Sequence, residues 1–187
     1  MMSSAFSHIK SPSKTKGDKP RVVYLGNLGV SRHRSLINIA SVLYKRNLQL
    51  EVYGSGSQDV LDELSKAAGI VYCGVVDYLK VQEIISASNL IIHAESFDDY
   101  SIKDLRFAFS TKIADSLASG IPFFLYAPNE LACTEYLLPL IPNFVATNHD
   151  DMIRKMSDIL DGKSVYPWDE KVFPVVMKNH SVDINQK

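Results

Sequence analysis

Cysteine is scarce in this chain. Its 187 residues include only Cys73 and Cys133, far apart and each set among apolar neighbours. That excludes a disulfide framework and reads as two reduced, buried thiols of a cytoplasmic protein. An excess of charge of one sign is lacking too. Twenty Lys and Arg stand against 21 Asp and Glu, for a net charge of −1, and basic residues are not interleaved with aromatics, so nothing here attracts or reads nucleic acid. No apolar run reaches the length of a bilayer crossing, and no hydrophobic stretch near Met1 has the form of a secretory signal. Cys133 and Trp168 read as structural or surface residues, and no nucleophile is paired with a base.

What the chain does contain is 46% apolar residues, enough to bury one core of ordinary size. Residues 1–20, rich in Ser and Lys with Pro12, Gly17 and Pro20, show no apolar period and read as a flexible leader. Lys10, Lys14, Lys16 and Lys19 are solvated in that reading; peripheral contact with an anionic membrane surface is the alternative. From Arg21 the pattern repeats strand, glycine turn, helix. Val22–Leu25 stops at Gly26-Asn27-Leu28-Gly29, and Leu36, Ile37, Ala40, Leu43 and Tyr44 follow at helical spacing. Further strands are expected at 48–53, 70–73, 90–92, 122–126 and 144–145. Helices are expected around Val60–Ala67 and Val81–Ile85, over the Lys112 segment, over 130–138 and over 149–160. The segment between His93 and Phe109 reads as a long polar loop. This alternation predicts an α/β fold for residues 21–162, a doubly wound, Rossmann-like parallel sheet of about six strands with helices on both faces. Residues 163–187 read as a C-terminal helical tail without a clear apolar partner of its own.

Ligands of such sheets sit beyond the strand C-termini, where the glycine turns fall. In the first turn, Gly26, Asn27 and Gly29 let backbone approach a phosphate closely, and Arg32 adds bidentate donors at a helix start. The spacing G-x-G-x-x-G is absent and Glu51 does not end its strand, so a nicotinamide enzyme is not indicated. The run Ser110-Thr111-Lys112-Ile113-Ala114-Asp115 begins a helix. Hydroxyls and a lysine at a helix N-terminus suit a diphosphate, and a carboxylate one turn on suits a ribose diol. The bland alternative is a surface ion pair three residues apart. His93, Glu95, Asp98 and Asp99 could be assembled into a metal site, but a solvated acidic loop, with Glu95 and Ser96 near a polar sugar, fits better.

Taken together, Tyr24-Leu25-Gly26-Asn27-Leu28-Gly29, Arg32 and the run from Ser110 to Pro122 resemble the C-terminal, nucleotide-sugar-binding domain of GT-B glycosyltransferases of the family 4 (group 1) type, over about residues 21–181. The resemblance implies one half of a GT-B fold and a hexosyltransferase of polysaccharide biosynthesis. Its donor would be a UDP- or GDP-sugar, with no cofactor or metal required. A glycan or lipid-linked acceptor would come through an N-terminal domain or partner chain. Carried over by position, Gly29 and Arg32 face the donor phosphates, Lys112 stands near them with Ser110 and Thr111, Asp115 meets the ribose, and Gly54, Gly74 and Val75 lie along the same edge toward the base. Arg32, Lys112 and Glu95 are the candidate catalytic residues. The position eight residues before Asp115, where the family has the first glutamate of a pair, is Phe107; Glu95, Asp98 or Asp99 would then supply that carboxylate. The reading from another class is a non-catalytic interaction module that kept the fold.

Overall fold

The computed structural model describes residues 19–180; the leader lysines at 10, 14 and 16 and the end of the tail lie outside the described residues. Six strands, β1 (Val22–Leu25), β2 (Leu50–Tyr53), β3 (Ile70–Gly74), β4 (Leu90–Ala94), β5 (Phe123–Tyr126) and β6 (Val145–Ala146), form one parallel sheet in the order β3-β2-β1-β4-β5-β6. That is the doubly wound order, with a topological switch between β1 and β4. The central strands are short and apolar because both faces are covered, and β4 and β5 are buried at every residue. β3 is an edge strand with Val71 and Tyr72 exposed.

The crossovers are α1 (Arg32–Tyr44), α2 (Gln58–Lys66), α3 (Tyr78–Ser86), α4 (Asp99–Leu105), α5 (Thr111–Ala118), α6 (Ala132–Leu137) and α7 (His149–Leu160), and the chain closes with a π turn at Trp168–Val172 running into α8 (Phe173–His180). α1 packs against α2 and α7, whereas α5 packs against α8. Two readings of the sequence are corrected. Part of the long polar loop after β4 is the helix α4, capped by Asp98, whose carboxylate accepts from the Ser101 amide at 2.9 Å and its hydroxyl at 2.6 Å. The tail has its partner in this same domain: Val172 and Val176 are buried, and the Trp168 ring lies over Gly120. Cys133 is buried as expected, but Cys73, on the edge strand, is only half-buried.

The loops at the carboxyl edge are held against one another by backbone. The Gly26 and Leu28 amides donate to the Tyr53 and Ser55 carbonyls at 2.9 and 2.8 Å, and the Gly54 amide donates to Gly74 at 2.9 Å. Gly54 has φ +147°, and a Cβ there would stand 1.6 Å from the Gly26 carbonyl oxygen. Tyr24, buried beneath the first turn, donates its hydroxyl to the Asn27 carbonyl at 2.8 Å. Val30 and Ser31 both take left-handed φ values, 57° and 55°, and a β-branched residue in that region is strained. Opposite effects are therefore expected at two neighbouring turns. Gly54→Ala should lower stability by about 3 kcal/mol, whereas Val30→Gly, by removing the left-handed strain, should raise it by up to about 1 kcal/mol; thermal or urea unfolding of the two variants checks both signs.

Candidate functional site

The switch point opens a crevice at the carboxyl edge, because the chain leaves β1 and β4 toward opposite faces of the sheet. Two side chains span it. Arg32, the first residue of α1, places Nε 2.6 Å from Oε2 of Glu95, the residue that follows β4. The pair is largely withdrawn from water, with side chains 16% and 7% exposed. A second tie runs alongside it, the buried Ser35 hydroxyl of α1 donating to the Glu95 carbonyl at 2.7 Å. His93 and Glu95 alternate onto the same face of the chain, and His93 Nε2 lies 3.0 Å from Glu95 Oε1. Burial pushes the Glu95 carboxyl up, but the hydrogen bonds and charges of His93 and Arg32 outweigh burial and hold it below its ordinary 4.5.

Across the crevice stands the first turn of α5. Lys112 is exposed there, and its pKa is lowered from 10.5, by desolvation first and by the Arg32 charge second. The two cations are therefore close enough for one charge to act on the other. Ser110 is the N-cap residue of α5, but its side chain makes no capping hydrogen bond. Ser110 lines a cavity of about 130 Å³ together with Arg32, Glu95, Phe109 and Cys133. Asp115 is half-buried one turn further along α5.

The structure thus brings Arg32, Ser110 and Glu95 to one cavity wall, with Lys112 two residues beyond Ser110 on α5 and Gly26, Asn27 and Gly29 forming the adjoining turn. There the Gly29 amide donates to Asn27 Oδ1 at 2.6 Å, and the Gly29 carbonyl accepts weakly from Arg32 Nη1 at 3.5 Å. Gly54, Gly74 and Val75 lie on the same rim, but Gly74 ends the outermost strand and Val75 follows it, three strand spacings from β4 or about 14 Å. Glu95 does not stand out as a free acid or base; both carboxylate oxygens are engaged. Asp98, its pKa held at about 2 by Ser101 and Ser96, serves the α4 N-terminus, and Asp99 is the first residue of that helix. Among the described residues no group of three or more His, Cys, Asp or Glu side chains is placed to hold a metal ion, so His93 and the acidic loop do not form one. Ser35 had no signal in the sequence. His93 had one, its place two residues before Glu95 at a strand end.

No family model matches the chain, and no curated protein sequence matches it either. Solved structures do. The catalytic domain of cholesterol-α-glucosyltransferase from Helicobacter pylori superposes with a TM-score of 0.58 at 18% identity, over 78% of this chain and 89% of that one. TarM of S. aureus, solved as a mutant with fondaparinux, α-GlcNAc-glycerol and UDP, gives 0.64 at 13% identity, over 97% of this chain and 37% of that one. The T4 phage enzyme BGT, solved with UDP and Mn²⁺, gives 0.55 at 14%, over 92% and 46%. The chain therefore spans nearly all of the first domain but less than half of the other two proteins. What it shares with them is the fold, a doubly wound, Rossmann-like α/β domain.

Replacing Glu95 by Gln leaves Arg32 charged and unpaired in a desolvated crevice, and should lower stability by about 3 kcal/mol. A carboxylate whose pKa is depressed on folding contributes stability that is complete above its unfolded value and lost as pH falls through the folded one. Wild-type stability should accordingly drop below about pH 4.5, and the drop should be shallower in Glu95→Gln, as urea titrations across pH 3–7 would show.

Proposed function

We propose that this chain is the donor-binding half of a sugar-nucleotide-dependent glycosyltransferase of the family 4 type, which takes a UDP- or GDP-sugar and acts with an acceptor-binding half. The observation that carries the reading is the Arg32 guanidinium at the switch point, near enough to Lys112 for the two charges to interact, beside a helix turn that its serine does not cap. Such an arrangement suits a diphosphate, a compact dianion that takes bidentate bonds from a guanidinium and direct bonds from helix amides. In this reading Asp115 accepts from the ribose hydroxyls, and the rim running out to Gly54, Gly74 and Val75 meets the nucleoside, whose extended length suits the span of about three strands.

The chemistry would be displacement at the anomeric carbon. A bond forms from an acceptor hydroxyl oxygen to that carbon as its bond to the diphosphate oxygen breaks, and the electron pair leaves with the diphosphate. Arg32 and Lys112 would stabilise the departing charge, the electrostatic role that a metal fills elsewhere. Glu95 acts in this scheme as the residue that orients Arg32, not as a proton carrier. The acceptor, a glycan or a lipid-linked sugar in this reading, would enter from the other half. A cytoplasmic enzyme of polysaccharide biosynthesis fits that chemistry; among the described residues no helix is long and apolar enough to cross a membrane.

One observation favours a second reading, a binding module without turnover. Phe107 is 85% exposed where the family pattern has a carboxylate, and the loop acids that would replace it serve other contacts. The readings separate on whether donor is consumed when an acceptor half is supplied.

Thermal unfolding with UDP, GDP and their sugars tests the proposal: a nucleotide at a hundred times its Kd should add about 2.7 kcal/mol of stability, and no stabilisation by either would contradict it. Lys112→Ala should weaken binding of the same nucleotide about tenfold to a hundredfold, by calorimetry. Because the diphosphate replaces repulsion from Arg32 with attraction, binding should raise the Lys112 pKa; affinity should then fall as pH climbs toward 10.5, and that fall should be missing in Lys112→Ala.

A further inference from the structure

The Arg32–Glu95 pair is joined through one nitrogen and one oxygen. Arg32 Nε lies 2.6 Å from Glu95 Oε2, while Nη1 reaches the Gly29 carbonyl only at 3.5 Å, too long for a strong hydrogen bond. A guanidinium and a carboxylate withdrawn from water favour a two-pronged arrangement, in which each oxygen of the acid accepts from a different nitrogen. Here the second oxygen is already engaged. His93 Nε2 stands 3.0 Å from Glu95 Oε1. Because the Glu95 carboxyl is held below its ordinary pKa, it is ionised at neutral pH and can only accept, so His93 is the donor. The His93 ring is buried and lies beside Phe123, with centroids 6.1 Å apart, so packing holds it in place. The last torsion of a glutamate is soft, and a carboxylate restrained by Arg32 alone would turn to face it with both oxygens. A second restraint acts on the backbone, where the buried Ser35 hydroxyl donates to the Glu95 carbonyl at 2.7 Å and fixes the point from which the side chain starts.

Resting on the donor-binding reading, we propose that His93 is a positioning residue for the diphosphate: by occupying Oε1 of Glu95 it keeps Arg32 paired through Nε alone, and so keeps the Nη donors of the guanidinium for phosphate oxygens. Ser35 serves the same end from the backbone side. His93 touches no atom of the donor in this scheme and moves no proton. Without its N–H, Glu95 turns both oxygens to Arg32, the ion pair tightens, and the anion loses its bidentate partner. Affinity then falls while stability holds, whereas loss of a residue that only filled space would lower stability as well.

The test uses the full chain and calorimetry, first with UDP and GDP and then with whichever binds. His93→Phe keeps a flat ring beside Phe123 but has no N–H, and should weaken binding about tenfold, as the loss of a charge-assisted hydrogen bond does. His93→Gln restores an N–H donor and should bring affinity back to within threefold of wild type. In an Arg32→Lys background, where there is no fork to lose, His93→Phe should change affinity by less than twofold. Should His93→Phe fail to fold, Ser35→Ala takes its place, with a loss of at least threefold expected, again only while Arg32 is present. Unchanged affinity in His93→Phe, or in Ser35→Ala where that variant stands in for it, overturns the inference while leaving nucleotide binding in place. So does a loss that His93→Gln does not recover, or one that is equal with and without Arg32. Binding of neither UDP nor GDP by the wild-type chain overturns the donor-binding reading and the inference with it.

Discussion

The carboxyl edge of this sheet is organised by one ion pair. Arg32 and Glu95 are 63 residues apart and follow the two strands between which the topology reverses, so their contact spans the gap that a doubly wound sheet leaves at its switch point. The pair also bears on Lys112, whose charged form the nearby Arg32 disfavours, while Glu95 bonds the Arg32 guanidinium itself. It bonds Arg32 through Nε, on one side of the guanidinium, which leaves the rest of that planar fork for a second, bidentate partner. His93 in turn holds the far oxygen of Glu95, and Ser35 fixes its backbone, so the carboxylate is oriented from three directions.

Around that pair the loops have little freedom. The first two βα turns share backbone hydrogen bonds, and Gly54 is a glycine because the Gly26 carbonyl occupies the place of its Cβ. Tyr24 props the first turn from beneath through the Asn27 carbonyl. Strain is concentrated just before Arg32, where Val30 and Ser31 take left-handed conformations, and α1 begins with neither a side-chain cap nor an acidic residue in its first turn. Stored strain beside a cation, at the end of an uncapped helix, is a pattern associated with ligand sites, where contacts outside the bare fold complete the arrangement.

The sheet was legible in the sequence because buried parallel strands are short apolar runs bounded by glycine, and this chain repeats that signal with little interruption. Leu90-Ile91-Ile92 and Phe123-Phe124-Leu125-Tyr126 could hardly be read otherwise. The α4 helix was not legible, because Asp99, Lys103 and Asp104 hide its short apolar face; the cap from Asp98 to Ser101 was the available sign. The docking of α8 was missed although Val172 and Val176 stand one helical turn apart, since periodicity tells that a face is apolar but not what covers it. At the candidate site, Arg32, Lys112 and Glu95 were singled out because each was expected at a strand end or helix start. That Glu95 belongs to Arg32 could not be read, since pairing across the switch point depends on strand order rather than on local pattern.

The candidate site can be examined in this chain by itself. The most direct measurement is a crystal structure of the chain with UDP. The account predicts diphosphate oxygens within hydrogen-bond distance of the Arg32 guanidinium and the Lys112 ammonium, with Arg32 Nε still bonded to Glu95. A nucleotide bound elsewhere on the surface, or a crevice left without one at saturating concentration, would contradict it.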